Sequence, residues 1–156
     1  GSPLSSVAGA KVSAGCRHAN SLQDIDGTLL WISATRSGQV SVMKMENLKA
    51  GVISTPAIEK LLLDADFTTV WSAKAKLGGH RFYIVTMSVS NLTLVYDLDS
   101  GLWAQWFCMG LNYFPFLSSS FDENQQTILQ HTTDGKLYQI DILLLGFLKG
   151  NYYHGI

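Results

Sequence analysis

The residues that first point to chemistry lie in "SLQDIDGTLLWIS", residues 21–33. Asp24 and Asp26 stand two positions apart and are followed by Gly27, Thr28 and Leu29. One carboxylate as nucleophile and a second as general acid/base, with Mg²⁺ between them, is the chemistry of phosphoryl transfer through an aspartyl intermediate. Such a nucleophile sits at the end of a buried parallel strand, which reads as an apolar run directly before it. Here the preceding residues, His18-Ala19-Asn20-Ser21-Leu22-Gln23, are mostly polar, and the apolar run Leu29-Leu30-Trp31-Ile32 comes after.

The string resembles the opening motif of haloacid-dehalogenase-type phosphatases, but the remaining machinery is missing. That chemistry needs a Lys to neutralise the phosphoryl charge and a downstream acidic pair for Mg²⁺, each at a strand end of an alternating β/α chain. Asp64-Ala65-Asp66 falls at the end of a predicted helix and Asp97-Leu98-Asp99 in a predicted hairpin turn. A turn cornered by Asp26-Gly27 accounts for the same letters, since a motif counts only in its structural context. No catalytic residue is assigned, and the chain is expected not to be an enzyme.

Other constellations also fall short of a site. A calcium loop counted from Asp97 would close on Cys108 where a Glu is required. His18, His80, His131 and His154 share no spacing that would place two on one metal. Cys16 and Cys108 are far apart, and free thiols of this kind are commonly buried. No metal and no cofactor are expected. Asn91-Leu92-Thr93 fits a glycosylation pattern but reads as a turn Asn entering a strand. Aromatics such as Trp31, Trp71, Trp103 and Trp106 would stack sugars if they shared a cleft; strand alternation sends Trp103 and Trp106 to opposite faces, which favours sheet packing.

The elements that would carry these residues read as short strands separated by turns. Strands are predicted at Thr28 to Ser33, Phe82 to Met87, Leu92 to Tyr96 and Trp103 to Phe107, with a further hairpin turning at Asp134-Gly135. After the turn at Arg36-Ser37-Gly38, alternation puts Val40, Val42 and Lys44 on one face and Ser41, Met43 and Met45 on the other, so neither face is cleanly polar. The segments Gly27 to Gly38, Asn91 to Gly101 and Asn124 to Gly135 overlay as weak repeats, in the manner of propeller blades or a meandering sandwich. "STPAIEKLLLDADF" interrupts them with a helix, Thr55 as N-cap and Pro56 at its first position, with Ile58, Leu61, Leu62 and Ala65 on one face. The expected fold is all-β, mainly antiparallel, with partial propeller-like blades and one short helix near 56–66.

Composition bounds the rest. The chain has 156 residues, is 47% hydrophobic and carries a formal charge of −1, enough for a core and too little basic charge to wrap nucleic acid. Gly1-Ser2-Pro3 reads as a cloning scar, so residues 1–10 are taken as scar and linker, 11–141 as the β domain and 142–156 as an apolar, aromatic C-terminal segment. The apolar run "IDILLLGFLKG" is too short and interrupted to span a bilayer.

The order of the pieces resembles a known family. "KVSAGC", "SLQDIDGTLLWIS", "GQVSVMKMENLKAGVISTPAIEKLL", "GGHRFYIVTM", "LTLVYDLDSGLWAQW" and "DGKLYQIDI" are similar to the C-terminal portion of the packaged-DNA stabilisation, or head-completion and tail-hub, proteins of P22-like short-tailed bacteriophages. The resemblance runs over Lys11 to Asp141, and its most specific parts are Ile53-Ser54-Thr55 with Ala57-Ile58-Glu59-Lys60, and Val95-Tyr96-Asp97 with the Trp103 to Trp106 strand. It implies a structural virion protein with a propeller-like β body that closes the portal channel and retains packaged DNA. It also implies a homo-oligomeric ring in the full-length form, with portal, adaptor, spike or fibre, and plug or needle proteins as neighbours. It implies assembly in the bacterial cytoplasm, with neither sequence-specific nucleic-acid binding nor membrane insertion. Pro56 to Asp66 is the expected contact helix. The alternative is a propeller-type module that recognises glycan or a cell-surface polymer.

Overall fold

The computed structural model describes Cys16, residues 18–106 and the backbone of residues 107–108, 116–121, 127–131, 137–139 and 148–153. The chain divides into two compact units, Gly1–Asp64 and Ala65–Ile156.

The first unit holds a meander of β1 (Gln23–Ile25), β2 (Thr28–Ala34), β3 (Val40–Glu46) and β4 (Lys49–Val52), adjacent in chain order and antiparallel throughout. Its tight turns follow from backbone angles. Asp26 and Gly27 have φ of 52° and 89°, the two positive values of a two-residue turn whose twist suits the strands it joins. Asn47 and Leu48 repeat the device at 51° and 64°. Both faces of β3 are covered, Val42 on one and Met43 and Met45 on the other, which is what its mixed alternation required. Trp31, Met43 and Met45 form one buried cluster, with Cys16, Leu22 and Leu29 packed beside it.

The helix α1 spans Pro56–Leu63 and packs near β3. Thr55 caps it, its Oγ1 accepting from the Ile58 N–H at 3.3 Å, and Ile58 and Leu62 are fully buried. It ends earlier than the expected Asp66. Asp64 is its C-cap, and Asp66 instead accepts from the Thr68 N–H at 2.7 Å, an Asp-led turn that competes with helix continuation.

The second unit contains β5 (Val70–Leu77), β6 (His80–Met87), β7 (Leu92–Asp97), β8 (Trp103–Cys108), β9 (Phe116–Phe121), β10 (Thr127–His131), β11 (Leu137–Gln139) and β12 (Leu148–Tyr153). They form a sheet ordered β12-β8-β7-β6-β5 and a smaller one ordered β11-β10-β9, with every pair antiparallel. Ala73, Ala75, Ile84, Val95, Ala104 and Trp106 make the core on one face of the larger sheet. Inside it Thr86 and Thr93, both fully buried, bond to each other at 2.9 Å across β6 and β7. The turn expected at Asp134-Gly135 lies outside the described residues; β10 and β11 on either side of it pair antiparallel with Gln130 opposite Leu137, a register two positions away from the one a two-residue turn at Asp134-Gly135 would set. The fold is thus all-β and antiparallel with one short helix, built of unclosed blade-like meanders.

Candidate functional site

The Asp24–Asp26 string is built as a hairpin corner. Asp24 pairs with Leu29 across β1 and β2, and its Oδ1 accepts from the Gly27 N–H at 2.9 Å. The carboxylate thus steadies the turn that Gly27 makes possible, on a three-residue antiparallel strand and not at the end of a buried parallel one.

A denser polar cluster forms where β6 begins and β7 turns into β8. The register pairs Phe82 with Asp97, which brings His80 and Arg81 beside the Asp97–Gly101 turn. Asp97 Oδ1 accepts from the N–H groups of Asp99 and Ser100 at 2.9 and 3.3 Å. Its Oδ2 meets the Ser100 hydroxyl at 2.8 Å and His80 Nδ1 at 2.7 Å. Asp99 takes the Arg81 N–H at 2.7 Å and the guanidinium Nη2 at 3.0 Å. The Arg81 side chain holds the Asp99 carboxyl below the usual carboxylate range, against a smaller opposing effect of burial. Burial, with the Asp97 charge second, pushes the neighbouring Tyr96 phenol upward.

Ligating atoms of His80, Asp97 and Asp99 lie within 4.8 Å of one another. Histidine spacing alone had no means of finding this set, because the partners of His80 are carboxylates that strand pairing returns from 17 and 19 positions away. Each carboxylate oxygen of the pair already accepts a hydrogen bond from Arg81, His80 or the turn. The cluster therefore works as a lock on the turn. Beside it lies a cleft of about 290 Å³ lined by His80, Phe82, Asp97, Ser100, Leu102 and Trp106.

Three of the four tryptophans are packing residues, and Trp71 on β5 is half-buried. Trp31, Trp103 and Trp106 are at most 3% exposed, so none of these three offers a ring face for sugar stacking. Trp106 packs against Phe82 at 5.3 Å between ring centres and Trp103 against Tyr96 at 5.1 Å, on the opposite faces that alternation predicted. Cys16 is a free thiol that donates to the His18 carbonyl at 3.3 Å. Its partial burial raises its pKa, the reverse of what a nucleophile needs. Asn91 has φ 51° and turns the chain into β7, which is the structural role its position suggested. The side chains of Cys108 and His131, and all of His154, lie outside the described residues.

With turn locks and packed sheets in place of an assembled catalytic set among the described residues, comparison with known families decides the class. A family model described as bacteriophage P22 Gp10, beta-propeller, matches residues 1–141. The chain belongs to that family. Its members are phage stabilisation and head-completion proteins, so this is a bacteriophage structural protein of propeller architecture, and the four-strand meander β1–β4 has the strand number and connectivity of one blade. No curated protein matches the chain. Within the P22 Gp10 family region lie both turn locks and α1, whereas β12, at Leu148–Tyr153, follows the matched residues.

Proposed function

We propose that the chain is part of the phage head-to-tail connector, a tail-hub component that closes the portal channel and retains packaged DNA. The observation that carries this reading is the family match over residues 1–141. The architecture supports it: antiparallel sheets with side-chain-locked turns give a stiff body, and loops on such a scaffold are where partner contacts are placed. Its role is structural and non-catalytic. Its neighbours are portal or adaptor and tail proteins, including spike or fibre and plug or needle, and the full-length form assembles as a homo-oligomeric ring in the host cytoplasm before residing in the virion. Neither base-specific DNA contact nor membrane insertion belongs to this role. A net charge of −1 agrees with the first point, and no helix among the described residues is long and apolar enough to cross a membrane.

The test is a phage in which the gene for the protein containing this chain is disrupted. Filled heads that then lose their DNA, measured by nuclease sensitivity, with restoration by the intact protein supplied in trans, are the expected result. Particles that hold their DNA without it would overturn the reading.

A further inference from the structure

The cleft beside the Asp97–Gly101 turn runs from solvent into the core of the second unit. Val95, Ala104 and Trp106 line it and are at most 4% exposed, so its inner end is apolar and nearly dry. His80 and Ser100 line it too and are exposed, so its mouth opens at the turn. The hollow follows from side-chain size on one face of the sheet. Val95 stands opposite Ala104 in the β7–β8 ladder, and these two short side chains share their face with the larger Phe82 and Trp106, whose ring centres are 5.3 Å apart at 56°. An apolar cavity of about 150 Å³ holds a benzene molecule. At about 290 Å³ this cleft admits one six-membered ring with a short substituent.

The mouth carries a prepared acceptor. His80 Nδ1 lies 2.7 Å from Asp97 Oδ2, and a ring nitrogen that faces a carboxylate carries the proton. In the neutral ring Nε2 is then left with a lone pair. No group among the described residues bonds to Nε2. The turn lock does not need this histidine, because Asp97 already holds the N–H groups of Asp99 and Ser100, and Arg81 holds Asp99. The imidazole is also stacked on Phe82, 6.2 Å between ring centres at 22°. Asp97 and Phe82 thus hold the ring in place, which spares a ligand the cost of ordering it.

These groups define the ligand. The Ser100 hydroxyl donates its proton to Asp97 Oδ2, so it too presents only lone pairs, and the Asp97 carboxylate beside it repels an anion. The cleft therefore fits an apolar ring inside and a neutral N–H or O–H donor at the mouth. A phenylalanine residue has this arrangement, its main-chain N–H standing just outside the ring. A tyrosine would carry its hydroxyl to the apolar inner end, where it would lose its hydrogen bonds to water. Pockets for free small molecules enclose about 70–90% of the ligand. This cleft encloses a ring and is open at the turn, which suits a side chain whose polypeptide continues outside and makes further contacts there.

We propose that this cleft is the docking site for a phenylalanine side chain of another polypeptide, its ring against Val95, Ala104 and Trp106 and its main-chain N–H donated to His80 Nε2. Burial of the ring supplies the attraction, and the N–H fixes its orientation. One residue buries far less than the roughly 1,000 Å² of a durable interface, so this contact alone is weak, with dissociation on the order of 1 mM. In a full interface it acts as the anchor, and the flanking contacts supply the rest. The inference does not rest on the connector role, since it concerns a contact that the chain makes by itself.

The test is an NMR titration of the 156-residue chain with N-acetyl-L-phenylalaninamide at about pH 8, where an ordinary imidazole is neutral. Saturable shifts at the amides of Val95, Ala104 and Trp106 are expected. The ester isostere of the probe, with oxygen in place of the phenylalanine N–H, should bind about fivefold more weakly, the value of one ordinary hydrogen bond. His80→Ala should weaken the amide probe by that same factor and leave the ester unchanged, a difference that a loosened turn would not produce. Ala104→Leu, which fills the inner end, should abolish binding of both; if that variant does not fold, the exposed His80 variant still decides. Absence of saturation up to about 20 mM, several times the expected constant, overturns the proposal. Equal binding of amide and ester, or tighter binding of phenylacetate than of the amide, overturns the donor assignment. Benzyl alcohol bound as tightly as the amide would give the cleft to free small molecules and overturn the polypeptide occupant.

Discussion

At the scale of single residues the polar side chains serve backbone geometry. Asp24 and Asp97 each accept N–H groups of the turn they precede, and Asp99 ties that second turn to the start of β6 through Arg81. Because the Asp99 pKa is lowered in the folded chain, its contribution is fully present above the ordinary carboxylate range near pH 4 and is lost as pH falls through the depressed folded value. Urea unfolding at pH 7 should therefore find Asp99→Asn less stable by up to about 1 kcal/mol, the upper range for a partly exposed pair. The gap should narrow toward pH 3, and a gap that widened on acidification would refute this account. Leu48→Gly should act in the opposite direction. It relieves a positive-φ strain of about 1–2 kcal/mol and costs back part of that in unfolded-chain entropy, leaving a monomer about 0.5 kcal/mol more stable by thermal melts.

At the scale of elements, the start of α1 shows how a local signal is fastened to the sheet. Ser54 Oγ accepts from the Val42 N–H at 3.0 Å and donates to Glu59 at 2.9 Å, one residue before the Thr55 cap. Thr55→Ala should cost about 1 kcal/mol, the usual loss for an N-cap. Ser54→Ala should cost at least as much, about 1–3 kcal/mol, because it also strands the Val42 N–H in the interior. Denaturant midpoints of the two variants would rank them, and equal near-zero losses would mean that the helix is held by Ile58 and Leu62 alone. This helix was legible in the sequence because its cap, its N1 proline and its apolar spacing all agree. The Asp26-Gly27 corner was legible for the same reason, since those residue types tolerate positive φ. β5 was not legible: Ala73-Lys74-Ala75-Lys76 has weak strand preference, and only the sheet that receives Ala73 and Ala75 makes it a strand. The His80–Asp97–Asp99 cluster stayed hidden because its members meet only through the β6–β7 register.

At the scale of the whole molecule, most strands pair with a neighbour in sequence, as the hairpin repeats foretold, and β12 is the exception. It returns from beyond the family-matched region to run along β8, from Leu148 opposite Cys108 to Tyr153 opposite Trp103. The C-terminal segment, which the sequence left as an apolar stretch with no evident partner, thereby contributes the fifth strand of the larger sheet. Its loss should be felt at the edge more than in the core. A chain ending at residue 141 keeps the β5–β8 meander and its Ala–Ile–Val–Trp core cluster but opens the outer side of β8, a six-residue edge that carries the strand formers Trp103, Trp106 and Phe107. Far-ultraviolet circular dichroism should retain its β signature, while light scattering should show concentration-dependent aggregation above that of the full chain. A shortened chain as monodisperse as its parent would show that β8 needs no cover, and β12 would then be dispensable to the sheet it completes.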